Sequence, residues 1–572
     1  MKAVLIYPPA NSRNSEAFPL PSLATAALAG ALDRAGHTCA QADLDLAWHR
    51  GLKRSFTPRE LEVLHNRERA SAHARGEKRE PAFQKAARLL AAGLPAGDLY
   101  GITLVDMNSD PLMLNLAAAL AALLRAERGR PVVIGSRALP RQAYAQILRE
   151  YPVFDYAVYT QDGEKALLDI LARSGGAAVR PQGALQLQGG RILIHRSVPV
   201  LMPPPSPLYQ DDILKAYALD DRRLLASYDA GYPFVAGLFK DNRTSLVVPY
   251  TFETTCPGAC AFCSNNNGFP SNAKPPARVV EELARLKARG VTGIYFINSA
   301  FNNSYKYADE LCGLMIKARL NLPWSDCANV REIDEELLRK MRRAGAVKLA
   351  FGMETASPRL LRYIRKGATA ERVSRCLKAS HRLGIWNHIE LIGGLPTETA
   401  DDTRATCDFI RGHARVIDTY SLNPFFLNRG SPFYRSPAEF GLRLRPSGRA
   451  CDYLDTDERV GDFSERFDEE GGPAWEQKTL QIKASTAALA AAIEEAAGAK
   501  WIDFEHIWLL MALYRRLGHS RKKAIKEHAD LFTSRFRPFS GDAFVEACRY
   551  RKHEYRRELA PRAGAGKGRD GL

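Results

Sequence analysis

The sequence predicts an α/β chain in three folded parts: an N-terminal doubly wound parallel sheet, a partial (β/α)6 barrel and a C-terminal helical domain. Two separate series of short, near-continuous apolar runs, each run followed by a segment of helical periodicity, predict the first two parts. A change after about residue 440 to polar loops and then alanine-rich and apolar helical segments predicts the third. The 572 residues suffice for three or four units of ~100–200 residues each. A composition of 46% hydrophobic and 25% charged residues excludes collagen-like, wholly disordered and disulfide-scaffold chains.

The first series occupies residues 1–180. Lys2–Tyr7 is a strand stopped by Pro8-Pro9, and a helix runs through Leu23, Ala27 and Leu28 to Ala35 before Gly36. Leu99–Val105, Pro131–Gly135 and Tyr156–Tyr159 are further strands. The mixed charges of Arg50 to Ala87 predict a solvated helical insertion. Residues 181–240, with Pro203-Pro204-Pro205-Ser206-Pro207, are expected to be a linker.

The second series, residues 241–435, makes six strand–helix steps. Its strands are Val247–Phe252, Ile294–Ile297, a short one near Asp326, Val347–Met353, Ile385–Ile392 and Thr419–Phe426. Six steps are too few for a closed eight-stranded barrel and suit an open one, with its chemistry at the C-terminal strand ends. Residues 436–550 are expected to be helical, and the basic, Gly/Ala-rich tail 551–572 to be disordered.

The net charge of +17 raises a nucleic-acid or membrane partner. Neither 50–87 nor the tail presents an aromatic-interleaved basic strip, so no nucleic acid is expected. The longest apolar run, Leu112 to Leu124, carries Asn115 and falls short of the ~20 residues a membrane span needs. With no cleavage site after the first apolar run, the expectation is a cytoplasmic protein without a membrane partner.

Of ten cysteines, seven are isolated, while Cys256, Cys260 and Cys263 fall within eight residues. In a reducing compartment such a cluster points to metal rather than disulfides. Three thiolates are one fewer than a closed four-cysteine iron–sulfur site uses. An open coordination position marks a metal site that meets substrate, whereas structural zinc would need a fourth ligand that no second CxxC or nearby His supplies. Gly258 permits tight wrapping of the loop.

This CxxxCxxC loop after the first barrel strand, with Phe262 before the last cysteine, strongly resembles the radical S-adenosylmethionine (SAM) enzymes. The resemblance implies a 4Fe–4S cluster on Cys256, Cys260 and Cys263, and SAM chelating the open iron through its amino and carboxylate groups. Reductive cleavage of SAM then yields a 5′-deoxyadenosyl radical. Gly352-Met-Glu354-Thr-Ala-Ser357 is similar to a fourth-strand segment of the family and implies that Glu354 contacts SAM. Ile392-Gly393-Gly394-Leu-Pro396 is similar to a fifth-strand segment, with Thr397 in place of its second glycine, and Arg365-Lys366-Gly367 also matches. The cofactor-binding residues implied are Phe262, Asn298, Ser299, Glu354 and Gly393. In two departures, Asn298-Ser299-Ala300-Phe301 stands where acidic residues are commoner, and Asn329 where a relative often has Arg.

Residues 1–175 resemble the cobalamin-binding domain, Rossmann- or flavodoxin-like, that precedes the barrel in one subclass of these enzymes. The matching segments include Tyr7-Pro8-Pro9, Gly101-Ile-Thr103, Val133-Ile-Gly135-Ser136 and Asp162-Gly163-Glu164. Ligands of open parallel sheets sit beyond the carboxyl ends of the strands. The loops Pro9–Glu16, Thr103–Asp110 and Gly135–Ala138 are therefore the candidates for gripping the corrin, with Pro9, Thr103, Gly135 and Ser136 as contacts. No Asp-x-His-x-x-Gly occurs, and the subclass commonly binds the corrinoid without a histidine ligand.

On the fifth strand the polar set Trp386, His388, Glu390 and Ile392 is expected to face the cavity, making His388 and Glu390 candidate catalytic residues. Tyr295, Asn298, Asn303 and Tyr420 are further candidate contacts. The resemblance implies a cobalamin-dependent radical SAM methyltransferase acting on an unactivated carbon of a small-molecule or peptide natural-product precursor, with a flavodoxin or ferredoxin as reductant. The alternatives are cyclisation, ring contraction or rearrangement with the same cofactors, and, in another class, an iron–sulfur or corrinoid sensor binding nucleic acid.

Overall fold

A computed structural model describes residues 1–10, 20–104, 111–136, 139, 141–160, 163–197, 202–220, 243–264, 270–445, 465–497 and 507–533. The expected disordered tail, Asp162 and most of the three corrin loops lie outside the described residues.

The first sheet has seven strands: β1 (Lys2–Tyr7), β2 (Thr38–Asp43), β3 (Leu99–Thr103), β4 (Val132–Gly135), β5 (Tyr156–Val158), β6 (Ala184–Gln188) and β7 (Arg191–His195). Their order is β2-β1-β3-β4-β5-β6-β7, parallel through β5, so the winding reverses at β1. Val4 and Ile6 pack with Tyr100, Ile102, Val132 and Leu116 on one side, while Ala3 and Leu5 pack with Leu32, Val133 and Ile170 on the other. Burial on both faces is why these strands read as continuous apolar runs.

The charged insertion is helical but only half solvated. Its helices Pro58–His65, Arg67–Ala74 and Pro81–Ala91 bury Leu64, Ala70, Phe83, Ala86 and Leu90 in the core of the first sheet. Asn115, the polar residue in the longest apolar run, donates to the Leu64 carbonyl at 2.9 Å and accepts from Tyr151 Oη at 3.1 Å. It thereby ties the insertion to the sheet.

The expected linker 181–240 is corrected in its first half, where β6 and β7 form a hairpin on the edge of the sheet. Gly189 and Gly190 both have positive φ, 55° and 74°, as a two-residue hairpin turn of matching twist requires. The prolines then lead along the helix Leu23–Arg34, where Leu208 N donates to Ala26 O at 2.9 Å. A Cβ on Gly30 would stand 1.8 Å from the Ser206 carbonyl oxygen, so only glycine fits that crossing. A helix follows at Asp211–Tyr217, and β8 (Leu219–Asp220) pairs antiparallel with β9 (Thr244–Ser245).

The second sheet contains β10 (Val247–Tyr250), β11 (Gly293–Phe296), β12 (Trp324–Ala328), β13 (Ala346–Glu354), β14 (Trp386–Gly393) and β15 (Thr419–Pro424). All six are parallel in sequence order, and β10 and β15 are its edges. Helices after the strands cover one face, burying Leu283, Leu311, Leu337, Leu377 and Ile410 against Ile294, Leu349, Phe351, Ile389 and Leu391. Ser304, Asp334, Thr369 and Thr399 cap four of these helices by accepting a backbone N–H of the first turn.

The C-terminal part is not purely helical: β16 (Leu442–Leu444) and β17 (Phe467–Glu469) form an antiparallel pair whose three-residue strands are too short for a periodicity signal. The helix Trp475–Ala497 packs on β14, β15 and the helix Ala400–Gly412. The helix Ile507–Leu517 closes the N-terminal end of the second sheet, where Tyr514 Oη donates to Gly384 O at 2.8 Å and Arg515 donates to Thr244 O at 3.1 Å. That is the end opposite the cysteine loop. Among the described residues no helix is long and apolar enough to cross a membrane.

Candidate cofactor site at the carboxyl ends of the second sheet

The cysteine loop leaves the carboxyl end of β10 without regular structure and is held by its neighbours' backbones. Ala261 N donates to Ile364 O at 2.9 Å, and Phe433 N donates to Ala261 O at 2.9 Å. Asn272 Oδ1 accepts the N–H groups of Thr254 and Thr255 at 3.0 and 3.2 Å. Within the loop Gly258 N donates to Cys256 Sγ at 3.3 Å and Cys263 N to Cys260 O at 3.2 Å. A Cβ on Gly258 would lie 3.2 Å from Cys256 Sγ, 3.5 Å from Arg331 Nη2 and 4.0 Å from Cys260 Sγ, so glycine leaves open a hollow bounded by two thiols and a guanidinium. Among the described residues no three His, Cys, Asp or Glu side chains are arranged around a single metal ion. A cluster whose thiolates each take a different iron needs no such common centre, and the three-thiol donor set fits it.

Cations surround the thiols. Burial pushes the Cys260 thiol up, while Lys366 and Arg331 act in the opposite direction, as stabilisation of thiolates requires. Lys366 Nζ lies 2.7 Å from Glu354 Oε1 and 5.7 Å from the centroid of the Phe262 ring. Burial acts against its charge, but Glu354 and Cys260 outweigh burial and raise its pKa. Glu354 ends β13 after a register shift and has φ 65°, a left-handed conformation costly for a residue with a side chain. Gly352 makes room for the ion pair: a Cβ there would sit 2.7 Å from Lys366 Nζ.

Arg331 was not singled out in the sequence, where Asn329 occupied the expected arginine position. The structure supplies the guanidinium two residues later. Asn329 Oδ1 accepts from Arg331 N at 3.0 Å and from Nε at 3.3 Å, and a Cβ on Gly367 would meet Arg331 Cδ at 2.9 Å.

Asn298 and Ser299 bind the loop itself. Asn298 Oδ1 accepts from Phe252 N at 3.0 Å and Glu253 N at 3.2 Å, and its Nδ2 donates to Asp326 Oδ2 at 2.7 Å. Ser299 Oγ donates to Thr255 O at 2.8 Å, and Asn303 Nδ2 donates to Glu253 Oε2 at 2.8 Å. Burial pushes Asp326 up to about 7, against the Asn298 hydrogen bond.

On β14, Asn387, Ile389 and Leu391 face the helices, with Asn387 Nδ2 donating to Leu377 O at 2.8 Å, so His388 and Glu390 occupy the opposite face. His388 Nδ1 lies 2.9 Å from Thr419 Oγ1, and its Nε2 lies 3.4 Å from Glu390 Oε1. Burial opposes ionisation of Glu390, but His388, Lys348 and Ser421 outweigh it and lower its pKa. Lys348, buried among the apolar residues of β13, was the missed member; a lone lysine in an apolar strand was its signal. Tyr295 lies on the face opposite Ile294 and Phe296, whereas Tyr420 packs with Ile389 in the helix-covered core, away from the cavity side.

Gly393 and Gly394 serve packing as well. Cβ atoms there would stand 2.6 Å from Thr486 Oγ1 and 2.4 Å from Ile482 Cα, so the pair admits the helix Trp475–Ala497. In the first sheet Pro9, Thr103, Gly135 and Ser136 all fall just at or beyond the carboxyl ends of β1, β3 and β4. Leu104 N donates to Gly135 O at 2.8 Å, and Ser136 O accepts Tyr144 Oη at 2.9 Å. The strands that carry them, β1, β3 and β4, are adjacent and parallel in the sheet.

Residues 250–410 match the model of the radical SAM superfamily. An uncharacterized methyltransferase of Pyrococcus horikoshii is 28% identical over 273 residues, covering 46% of this chain and 54% of that protein. The chain thus spans about half the length of this curated relative. Among solved structures, the radical S-adenosylmethionine methyltransferase TsrM from Kitasatospora setae, with cobalamin and a 4Fe–4S cluster bound, is 15% identical with a TM-score of 0.58, covering 92% of this chain and 99% of that one. The cobalamin-dependent radical enzyme OxsB, with aqua-cobalamin and S-adenosylmethionine bound, is 13% identical with a TM-score of 0.57, covering 98% of this chain and 79% of that one. These two likenesses show the α/β fold. Residues 250–410 are thus similar to the radical SAM domain, and the three cysteines lie on the loop after the first strand of that matched region.

Proposed function

We propose that this chain is a cobalamin-dependent radical SAM methyltransferase that methylates an unactivated carbon of a small-molecule or peptide natural-product precursor. The observation that carries the reading is the joining of a doubly wound sheet to a six-stranded parallel sheet whose first strand leads into the three-thiol loop. When bound, the cluster, SAM and cobalamin supply the electron, the radical and the methyl group.

The chain's own residues hold and insulate these groups. Cys256, Cys260 and Cys263 would ligate the cluster, with Arg331 and Lys366 offsetting its negative charge. Glu354, aimed by its left-handed backbone, would accept a hydrogen bond from SAM, with Phe262 forming an apolar wall. Pro9, Thr103, Gly135 and Ser136 would support the corrin. Lys348, His388 and Glu390, on the sheet face away from the covering helices, would supply the substrate one cation, one acid–base group and one carboxylate, with an electron-donating flavodoxin or ferredoxin as external partner.

The test is mass spectrometry of the product formed by the anaerobically reconstituted enzyme with SAM and a reductant. A gain of one methylene unit per turnover supports methyl transfer. An unchanged or dehydrogenated skeleton overturns it and assigns cyclisation or rearrangement instead.

A further inference from the structure

At the N-terminal end of the second sheet, opposite the cysteine loop, lies a cavity of about 630 Å³. Its wall carries Arg342, Arg382, Arg415, Lys522, Lys523 and Lys526, with Asp418 as the one acidic residue among those lining it. Four separate stretches of chain deliver these cations: the ends of the helices Glu335–Arg343 and Ala370–Arg382, the turn before β15, and the first turns of the helix Lys522–Thr533.

Part of this charge has a structural role. Lys522 Nζ lies 2.6 Å from Asp418 Oδ2 and donates to Ile385 O at 2.6 Å, while Arg382 pairs with Glu335 at 2.7 Å. Arg342 and Arg382 also suit the negative ends of their helices. The rest lacks such an explanation. Lys526 reaches Asp418 only at 3.6 Å, and Arg415 and Lys523 make no ion pair among the described residues. Three lysines in the first five residues of one helix oppose its macrodipole, which favours anions at that end. Lys522 Nζ donates to His381 Nδ1 at 3.1 Å, which leaves the His381 proton on Nε2 as a further donor.

We propose that this cavity binds a small polyphosphate anion, an inorganic pyrophosphate or the phosphate tail of a nucleotide. Converging guanidinium and ammonium groups provide charge-assisted hydrogen bonds of the kind phosphate oxygens take. The concave wall and the buried Lys522 favour a compact ligand over an extended nucleic-acid strand. An anion there would bridge barrel helices to the C-terminal helix and clamp that end of the sheet. The inference is independent of the proposed methyl transfer.

The test is calorimetric titration of the full chain with inorganic pyrophosphate, and in parallel with ATP, at physiological salt. Arg415→Ala/Lys523→Ala removes two exposed cations of the wall, while Arg285→Ala/Arg404→Ala removes two exposed arginines elsewhere. Saturable binding is expected, weakened about tenfold or more in the first double variant and unchanged in the second. Pyrophosphate should also raise the thermal midpoint of the wild type and of the control, and less so in the cavity variant. Tighter binding of ATP than of pyrophosphate would assign the nucleotide, and equal binding the inorganic anion. The proposal is overturned by no saturable binding up to about 1 mM, by equal loss in the two double variants, or by a single-stranded RNA that binds tighter than both anions.

Discussion

The Lys366 ammonium stands 2.7 Å from Glu354 Oε1 and faces the Phe262 ring, so a single side chain joins the cysteine loop to the strained end of β13. Replacing it with Met leaves the Glu354 carboxylate buried without its cation. A buried pair broken on one side costs about 3 kcal/mol, so Lys366→Met should lower urea-unfolding stability by that order. In the reconstituted enzyme it should also weaken SAM binding, read by equilibrium dialysis. An unchanged SAM affinity would leave the pair a structural one.

How much of this was visible in the sequence depended on how local each signal was. The three cysteines and Phe262 lie in one loop, and the six barrel strands repeat a pattern each helix punctuates, so both were legible. Arg331 was not, because its place beside the thiols depends on Asn329 turning it and on Gly367 making room. The hairpin at Gly189-Gly190 was missed although its turn signal was present, since the flanking prolines drew the whole segment into one linker. Gly393 matched a family segment, but the close approach of Thr486 could come only from tertiary structure.

Lys274 and Glu282 form a buried ion pair at 2.8 Å that also engages Tyr250 and Ser206, fastening the proline segment to the second sheet. Burial opposes ionisation of Glu282, but Lys274, Ser206 and Arg278 hold it down at about 2. Glu282→Gln should destabilise by about 3 kcal/mol, and Lys274→Met/Glu282→Leu should recover most of the loss, because the pair's desolvation disappears with it. Equal stability of the two variants in chemical denaturation would refute this account.

Asp326 is a buried acid whose ionisation works against the fold. Its pKa rises from 3.8 to about 7 on folding, so the folded state binds the proton more tightly than the unfolded one. Stability from this group is fully present below pH 4 and is lost as pH rises towards 7, by up to about 4 kcal/mol. Asp326→Asn should flatten the decline between pH 4 and 7. The check is a series of denaturation curves; an identical slope in both proteins would contradict the assignment.

Thr397 adopts φ 62°, a left-handed conformation unfavourable for a β-branched residue, where the resembling family segment has glycine. Glu469 accepts its N–H at 3.0 Å, and Arg359 donates to its hydroxyl at 3.0 Å. Thr397→Gly relieves the strain at the loss of one exposed hydrogen bond, and a gain of about 1 kcal/mol is expected from thermal denaturation. A loss of similar size would show that the Arg359 contact outweighs the strain.

The central claim, a cluster on Cys256, Cys260 and Cys263 beside a corrinoid-binding sheet, is tested most directly by anaerobic reconstitution with iron, sulfide and hydroxocobalamin, followed by absorption spectra and metal analysis. The account predicts about four irons per chain together with corrinoid bands in the wild type, and in Cys260→Ala loss of the cluster with retention of the corrinoid. A full cluster in Cys260→Ala, or a wild-type spectrum with cluster bands and no corrinoid, would contradict it.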